Sequence, residues 1–300
     1  DTLALLPTGG GKSICFQVPA LALEGICIVV SPLISLMKDQ VEQLQRRDIK
    51  AAAIYSGMSR REIDITLDNC IYGGYKFLYV SPERLKAEIF IERAHQMNIS
   101  LLAIDEAHCI SQWGYDFRPP YMEIAEFKNA VGIERLIALT ATATKEVKQD
   151  IAEKLEMKDV QIFQKSFARA NLSYSAFQLE NKDGKLLEIL GNVPGTSVVY
   201  VRSRKRTREI AEFLRRNNIS ADYYHAGLSG KDRSDKQSAW INNQVRVVVA
   251  TNAFGMGIDK PDVRTVVHVD LPDTLEAYYQ EAGRAGRDEK KAYAVALYHK

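Results

Sequence analysis

Short apolar runs alternate with amphipathic segments along most of this 300-residue chain, and that alternation restricts the fold more than any other feature. Residues 26–30, 51–55, 77–80, 101–104 and 136–139 are predicted strands. Between them Leu33, Met37, Val41 and Leu44 recur at helical spacing, and Ser59 with Glu62 forms a capping box ahead of another amphipathic segment. Strand, helix, strand in repetition requires each strand to return in the same direction, which builds a parallel sheet with helices on both faces. After the helical pattern of Val147, Ile151 and Leu155, a polar stretch at 165–171 interrupts the series. It then restarts, with predicted strands at 197–201, 221–224, 245–250 and 265–269 and helices following Arg204, Lys231 and Asp273. The expectation is an α/β chain of two tandem domains, residues 1–166 and 167–300, each a mainly parallel sheet flanked by helices, with a ligand cleft between them.

Composition narrows the class. With 46% hydrophobic residues the chain can bury two cores, and no apolar run reaches the roughly 20 residues that span a bilayer. No basic-then-apolar leader opens the sequence, which says little because the chain begins abruptly at Asp1; a cytoplasmic protein is expected from its cysteine usage. A net charge of +2 means that any nucleic-acid surface must come from local clustering. Cys15, Cys27, Cys70 and Cys109 lie far apart in apolar contexts with no Cys-x-x-Cys pair, which points to reduced thiols and provides no zinc ligand set in this segment.

Three motifs carry chemistry. Pro7-Thr8-Gly9-Gly10-Gly11-Lys12-Ser13 lies between an apolar run and a helical one, the setting of a phosphate-binding loop: backbone N–H groups converge on phosphate oxygens and the helix N-terminus adds its dipole. Lys12 would reach the β and γ phosphates and Ser13 would hold magnesium. The strict form has a glycine where this chain has Leu6. Asp105 and Glu106 follow the apolar run 101–104 and reach a sheet edge, Asp105 as a magnesium ligand and Glu106 as general base. Gln280 to Arg287 places Arg284 and Arg287 three residues apart, able to stabilise charge on a transferring γ-phosphoryl group. Trp113, Tyr115 and Phe117, interleaved with polar residues and followed by Arg118, suit stacking on unpaired bases.

With these motifs in order, the chain resembles the helicase core of superfamily 2, and within it the RecQ-family DNA helicases. Motif I matches 6–13, Ia 31–40, II 105–108, III 139–144, IV 198–208 with 224–228, V 250–261 and VI 280–287; residues 111–119 resemble the aromatic-rich loop that marks RecQ proteins. The resemblance implies two RecA-like domains around a nucleotide cleft, with ATP and Mg2+ as cofactors. It further implies 3′ to 5′ movement on single-stranded DNA, unwinding of duplex or branched DNA in recombination and repair, and residence with DNA in the nucleoid or nucleus. A monomeric core is expected.

Residue by residue, the resemblance implies nucleotide contacts at Thr8, Gly9, Gly10, Gly11, Lys12, Ser13, Gly257 and Asp259. Catalysis falls to Lys12, Asp105, Glu106, His108, Gln280, Arg284 and Arg287. Ser31, Pro32, Ser81, Arg202 and Thr251 map onto DNA-backbone contacts, while Trp113, Phe117 and Arg118 map onto the loop coupling DNA to hydrolysis. His108 with Thr140 and Thr142 would relay the γ-phosphate state by hydrogen bonds. His225 is expected to be a core or loop residue. Tyr115 and Pro120 depart from the usual loop. The family's adenine-reading glutamine motif, zinc-binding and winged-helix modules are not in this sequence, which therefore reads as a fragment. An RNA helicase, a nucleotide-gated DNA clamp and a duplex translocase that leaves strands paired are the rival readings.

Overall fold

A computed structural model describes residues 1–114, 116–141, 143–166, 168–255 and 260–299. The chain divides into two units, Asp1–Phe167 and Ala168–Lys300. In the first, β1 (Thr2–Leu5), α1 (Lys12–Ala22), β2 (Ile26–Val30), α2 (Ile34–Gln45), β3 (Ala51–Ile54), α3 (Arg60–Tyr72) and β4 (Phe77–Val80) are followed by α4 (Glu88–Ala94), β5 (Ile99–Ile104), α5 (Ile124–Val131), β6 (Leu136–Thr140), α6 (Lys145–Lys154) and β7 (Gln161–Gln164). Among the described residues its strands form one parallel sheet of order β3-β4-β2-β5-β6-β1-β7. Alternate residues of the central strands feed two cores. Cys27, Val29, Leu101 and Ala103 meet Phe16 and Ala20 of α1 and Met37 and Leu44 of α2. Ile28, Val30, Leu102 and Ile104 meet α3 through α6, by way of Leu67, Phe90, Phe127 and Ile151 among others.

The second unit repeats the plan with β8 (Leu172–Gln178), α7 (Lys182–Asn192), β9 (Thr196–Tyr200), α8 (Arg204–Arg216), β10 (Ala221–Tyr224), α9 (Gly230–Ile241), β11 (Val247–Ala250), β12 (Val263–His268), α10 (Leu275–Ala282) and β13 (Ala292–Tyr298). Its described strands are parallel in the order β10-β11-β9-β12-β13-β8. Val199, Val247, Val249 and Val267 pack on α7 and α8, while Val198, Val248 and Val266 pack on the α9 and α10 side around Trp240.

The predicted central strands and helices are present, with ends shifted by a residue or two. The capping box forms, Glu62 N donating to Ser59 Oγ and Ser59 N to the Glu62 carboxylate. Three strands lay outside the sequence reading. β7 and β8 are edge strands whose side chains are largely exposed, and β13 follows the last recognised motif. Cys27, Cys70 and Cys109 are buried, and burial pushes the Cys70 thiol up to about 12, whereas Cys15 is only half-buried on α1. No helix among the described residues is long and apolar enough to cross a membrane.

Candidate active site

Because every strand of the first sheet points the same way, the loops leaving β1, β2, β4, β5 and β6 gather at one edge, where open α/β sheets bind ligands. The turn after β1 is tight: Gly10 N donates to Pro7 O at 2.8 Å, and a Cβ on Gly10 would fall 2.8 Å from that oxygen. Gly11 caps α1 in the left-handed region at φ 80°, where a side chain is strained. No side chain caps this helix and no acid lies in its first turn, so its leading N–H groups remain available to an anion. The Thr8 hydroxyl oxygen is buried with no hydrogen-bond partner among the described residues. Lys12 and Ser13 open the helix.

Across the sheet edge, Asp105 and Glu106 follow β5. Lys12 Nζ lies 3.7 Å from Glu106 Oε1, and Glu106 Oε2 lies 3.4 Å from His108 Nδ1. That imidazole is 1% exposed, and its Nδ1 is hydrogen-bonded to Thr140 Oγ1 at 3.0 Å. β6 lies between β5 and β1, and Leu6 N donates to Thr140 O, so Thr140 touches the strand-end loops on both sides. Desolvation, and then the charge of Glu106, raise the Asp105 carboxyl to about 7, against the opposing Lys12 ammonium, Glu106 N–H and Ser31 hydroxyl. Burial lowers the His108 pKa more than Glu106 raises it, so the ring is neutral near pH 7. Tyr121, absent from the sequence reading, donates its OH to Asp105 O at 2.8 Å and so holds the backbone of the first acid.

The aromatic-rich loop is anchored to this centre. Gly114 N donates to Ser111 O, and a Cβ on Gly114 would lie 2.6 Å from His108 O, so only glycine permits the loop to fold onto the His108 backbone. Ser111 Oγ donates to Asp150 of α6 at 2.7 Å and accepts from Trp113 N at 3.2 Å. Trp113 is 76% exposed, which removes it from the core; Phe117 is half-buried. Arg118 donates to Asp116 Oδ2 at 3.0 Å and to Pro32 O at 3.1 Å, tying the loop to the turn after β2. Ser31 and Ser81 are nearly fully buried, each immediately following its strand, β2 and β4. Tyr115 and Thr142 lie outside the described residues.

In the second unit, Gln280 is half-buried on α10 and Arg284 is 7% exposed in the turn beyond it; Arg287 follows, half-buried. Arg169 donates to Gly283 O at 2.9 Å and also to Gly286 O, and Asn171 donates to Gly286 O at 2.7 Å. These two donors, unmarked by any local motif, fix the turn that carries the arginines. Arg202 is exposed, but its guanidinium already donates to Leu271 O at 3.0 Å and Asp273 Oδ1 at 2.9 Å. Thr251 is 8% exposed at the end of β11. His225 is buried in the turn after β10, its pKa lowered by burial and then by Arg208 and Arg204. Gly257 and Asp259 lie outside the described residues.

Comparison with known proteins fits this geometry. The DEAD/DEAH box helicase family matches residues 1–150, and the helicase conserved C-terminal domain matches residues 181–289. The probable ATP-dependent DNA helicase RecS of Bacillus subtilis (strain 168) is 45% identical over 302 residues, taking in 99% of this chain and 60% of the relative. The ATP-dependent DNA helicase RecQ of the same organism is 46% identical over 300 residues, covering 99% of this chain and 51% of its own length. The chain thus spans about half the length of these curated relatives. Among solved structures, that of the DUF1998 helicase MrfA bound to DNA superposes with a TM-score of 0.79 at 18% identity, covering 100% of this chain and 44% of that one, a likeness of fold. With both family matches in chain order and the relatives aligned along nearly its whole length, the chain belongs to the DEAD/DEAH box helicase family, the first unit carrying that domain and the second the helicase conserved C-terminal domain.

Proposed function

We propose that this chain is an ATP-driven motor core that tracks 3′ to 5′ along single-stranded DNA and serves to open duplex or branched DNA in recombination and repair. The observation that carries the reading is the contact series Lys12–Glu106–His108–Thr140, joined through the His108 backbone to the exposed Trp113. It links a phosphate loop to a base-stacking side chain inside one unit.

ATP would enter with its phosphates over the Thr8 to Gly11 backbone and the start of α1. Lys12 then exchanges Glu106 for the β and γ phosphates, and the freed Glu106 carboxylate accepts a proton from the attacking water as its oxygen bonds to the γ-phosphorus. The bond from the γ-phosphorus to the β–γ bridging oxygen breaks, leaving ADP and phosphate. The donor set also fits a hard divalent cation: the Ser13 hydroxyl in the first turn of α1, and the Asp105 carboxylate after β5, which desolvation raises to about 7. Mg2+ held there would offset phosphate charge and favour the ionised Asp105. Arg284 and Arg287, with Gln280, are assigned to the developing charge on the γ-phosphoryl group; Gly257 and Asp259 are assigned to nucleotide contacts. Ser31, Pro32, Ser81 and Thr251 are assigned to the DNA backbone, with His108, Thr140 and Thr142 relaying nucleotide state. Arg202 joins the backbone contacts only by releasing Asp273.

Phosphate release measured with and without an oligothymidylate tests the reading. Stimulation by the oligonucleotide, with turnover lowered at least about 100-fold by Lys12→Ala and by Glu106→Gln, is expected. Ordinary turnover in either variant would overturn the site assignment. Equal stimulation by matched RNA would favour an RNA motor, and DNA binding without phosphate release would favour a clamp.

A further inference from the structure

The second unit holds a buried polar pair that the proposed chemistry does not use. His268, the last residue of β12, is 0% exposed, and its Nε2 lies 2.8 Å from Glu281 Oε2 on the final turn of α10. The imidazole stacks on the Tyr200 ring, with centroids 5.2 Å apart and planes 20° apart, and lies 4.7 Å from the Tyr278 ring. Tyr200, at the end of β9 and 3% exposed, donates its OH to Phe254 O at 2.7 Å. Phe254 is pinned in turn by edge-on contacts with Tyr224 at 4.8 Å and Trp240 at 5.2 Å.

The next residue leads to the arginine turn. A Cβ on Gly255 would fall 2.9 Å from Arg284 Nη2, so the guanidinium is fitted against bare backbone. Arg284 N donates to Glu281 O at 3.2 Å, the same residue whose carboxylate meets His268. The loop after β11 and the turn after α10 are therefore joined through Tyr200, His268 and Glu281.

Packing alone does not account for a histidine here. Its Nδ1 has no hydrogen-bond partner among the described residues, and an unpaired buried polar atom costs roughly 1–3 kcal/mol. A phenylalanine would fill the aromatic stack without that cost, so the site retains a hydrogen-bonding ring for what it does to Glu281.

We propose that His268 and Glu281, backed by Tyr200, are positioning residues that set Arg284 and the following turn for action on the γ-phosphoryl group. The three are assigned to act through the arginines, and the inference rests on the function proposed above. Steady-state ATPase kinetics with an oligothymidylate test it on the whole chain. His268→Phe, which keeps the stack and removes the bond to Glu281, should lower kcat about ten-fold or more while KM for ATP stays within about two-fold. His268→Gln, which restores a donor near the Nε2 position, should recover most of kcat. Tyr200→Phe, which keeps the ring and frees the Phe254 carbonyl, should repeat the kcat-only loss. In His268→Phe, which leaves the buried Glu281 carboxylate without its partner, the urea midpoint should fall, and amide exchange should quicken more across residues 283–287 than in the rest of the unit. Wild-type kcat and exchange in His268→Phe, or equal loss in the Phe and Gln variants, would overturn the inference. Arg287→Lys separates it from the underlying reading. Loss of turnover there beside a normal His268→Phe would sink the positioning role alone, and full turnover in Arg287→Lys would sink both.

Discussion

Glu106 adopts a left-handed backbone, φ 47° and ψ 47°, which is strained for a residue with a side chain and persists only where its surroundings hold it. Here the holding contacts are Lys12 and His108, one on each carboxylate oxygen. Seven residues on, Trp113 presents the opposite case: a large apolar side chain, 76% exposed, on a loop fixed by Ser111 and by close approach to His108. Nothing in the fold requires that indole, because it buries little of its surface. Base stacking is worth roughly 1–3 kcal/mol per base, and 1.4 kcal/mol is a factor of ten, so the indole is large enough to govern a DNA response. In Trp113→Ala, basal phosphate release should remain within about two-fold of wild type while stimulation by single-stranded DNA falls about ten-fold, and thermal stability should change by less than about 0.5 kcal/mol. Undiminished stimulation in an assay at matched DNA concentration would remove the coupling role.

α8 shows how a helix with an unpromising surface is held by its inner face. Its outer residues include Lys205, Arg208, Arg215 and Arg216, yet Ile210, Ala211 and Leu214 pack on Val199, Val247 and Val249 of the sheet. Leu214→Ala should cost about 2–5 kcal/mol, read as a lower urea midpoint at unchanged slope. Arg216, whose ion pair with Glu212 is stretched to 4.0 Å and largely exposed, should tolerate alanine with a change of about 0.5 kcal/mol or less. The same contrast explains which parts of the fold were legible in the sequence. β5 was visible because a strand covered on both faces must be apolar throughout, and the acids at its end mark the edge. β8 was not, because Ser173, Tyr174, Ser175 and Gln178 satisfy an edge strand that joins β13 through backbone bonds while most side chains face solvent. Within the site, Lys12, Asp105 and His108 belong to local patterns that spacing reveals. Arg118 to Pro32, Arg169 to Gly283 and His268 to Glu281 link residues 86, 114 and 13 positions apart, and no local period records such pairs.

Each unit buries its sheet between helices of its own. The chain contains two tryptophans, and they fall one to each unit: Trp113 exposed in the first, Trp240 2% exposed in the second. Trp240 donates its indole N–H to Ser197 O at 3.2 Å and packs edge-on against Phe254, so its burial depends on β9 and on the loop after β11 being in place together. That makes it a reporter of the second unit alone. We expect residues 168–300, expressed separately, to fold with blue-shifted Trp240 emission and a single cooperative urea transition, at a stability in the range of about 5–15 kcal/mol usual for domains. The isolated second unit should lack ATPase activity, since Lys12, Asp105 and Glu106 belong to the first. Red-shifted emission or a non-cooperative transition would show that this unit takes its fold from the rest of the chain. The arginine turn, tied to Arg169, Asn171 and Glu281, would then be a property of the whole protein rather than of the unit that carries it.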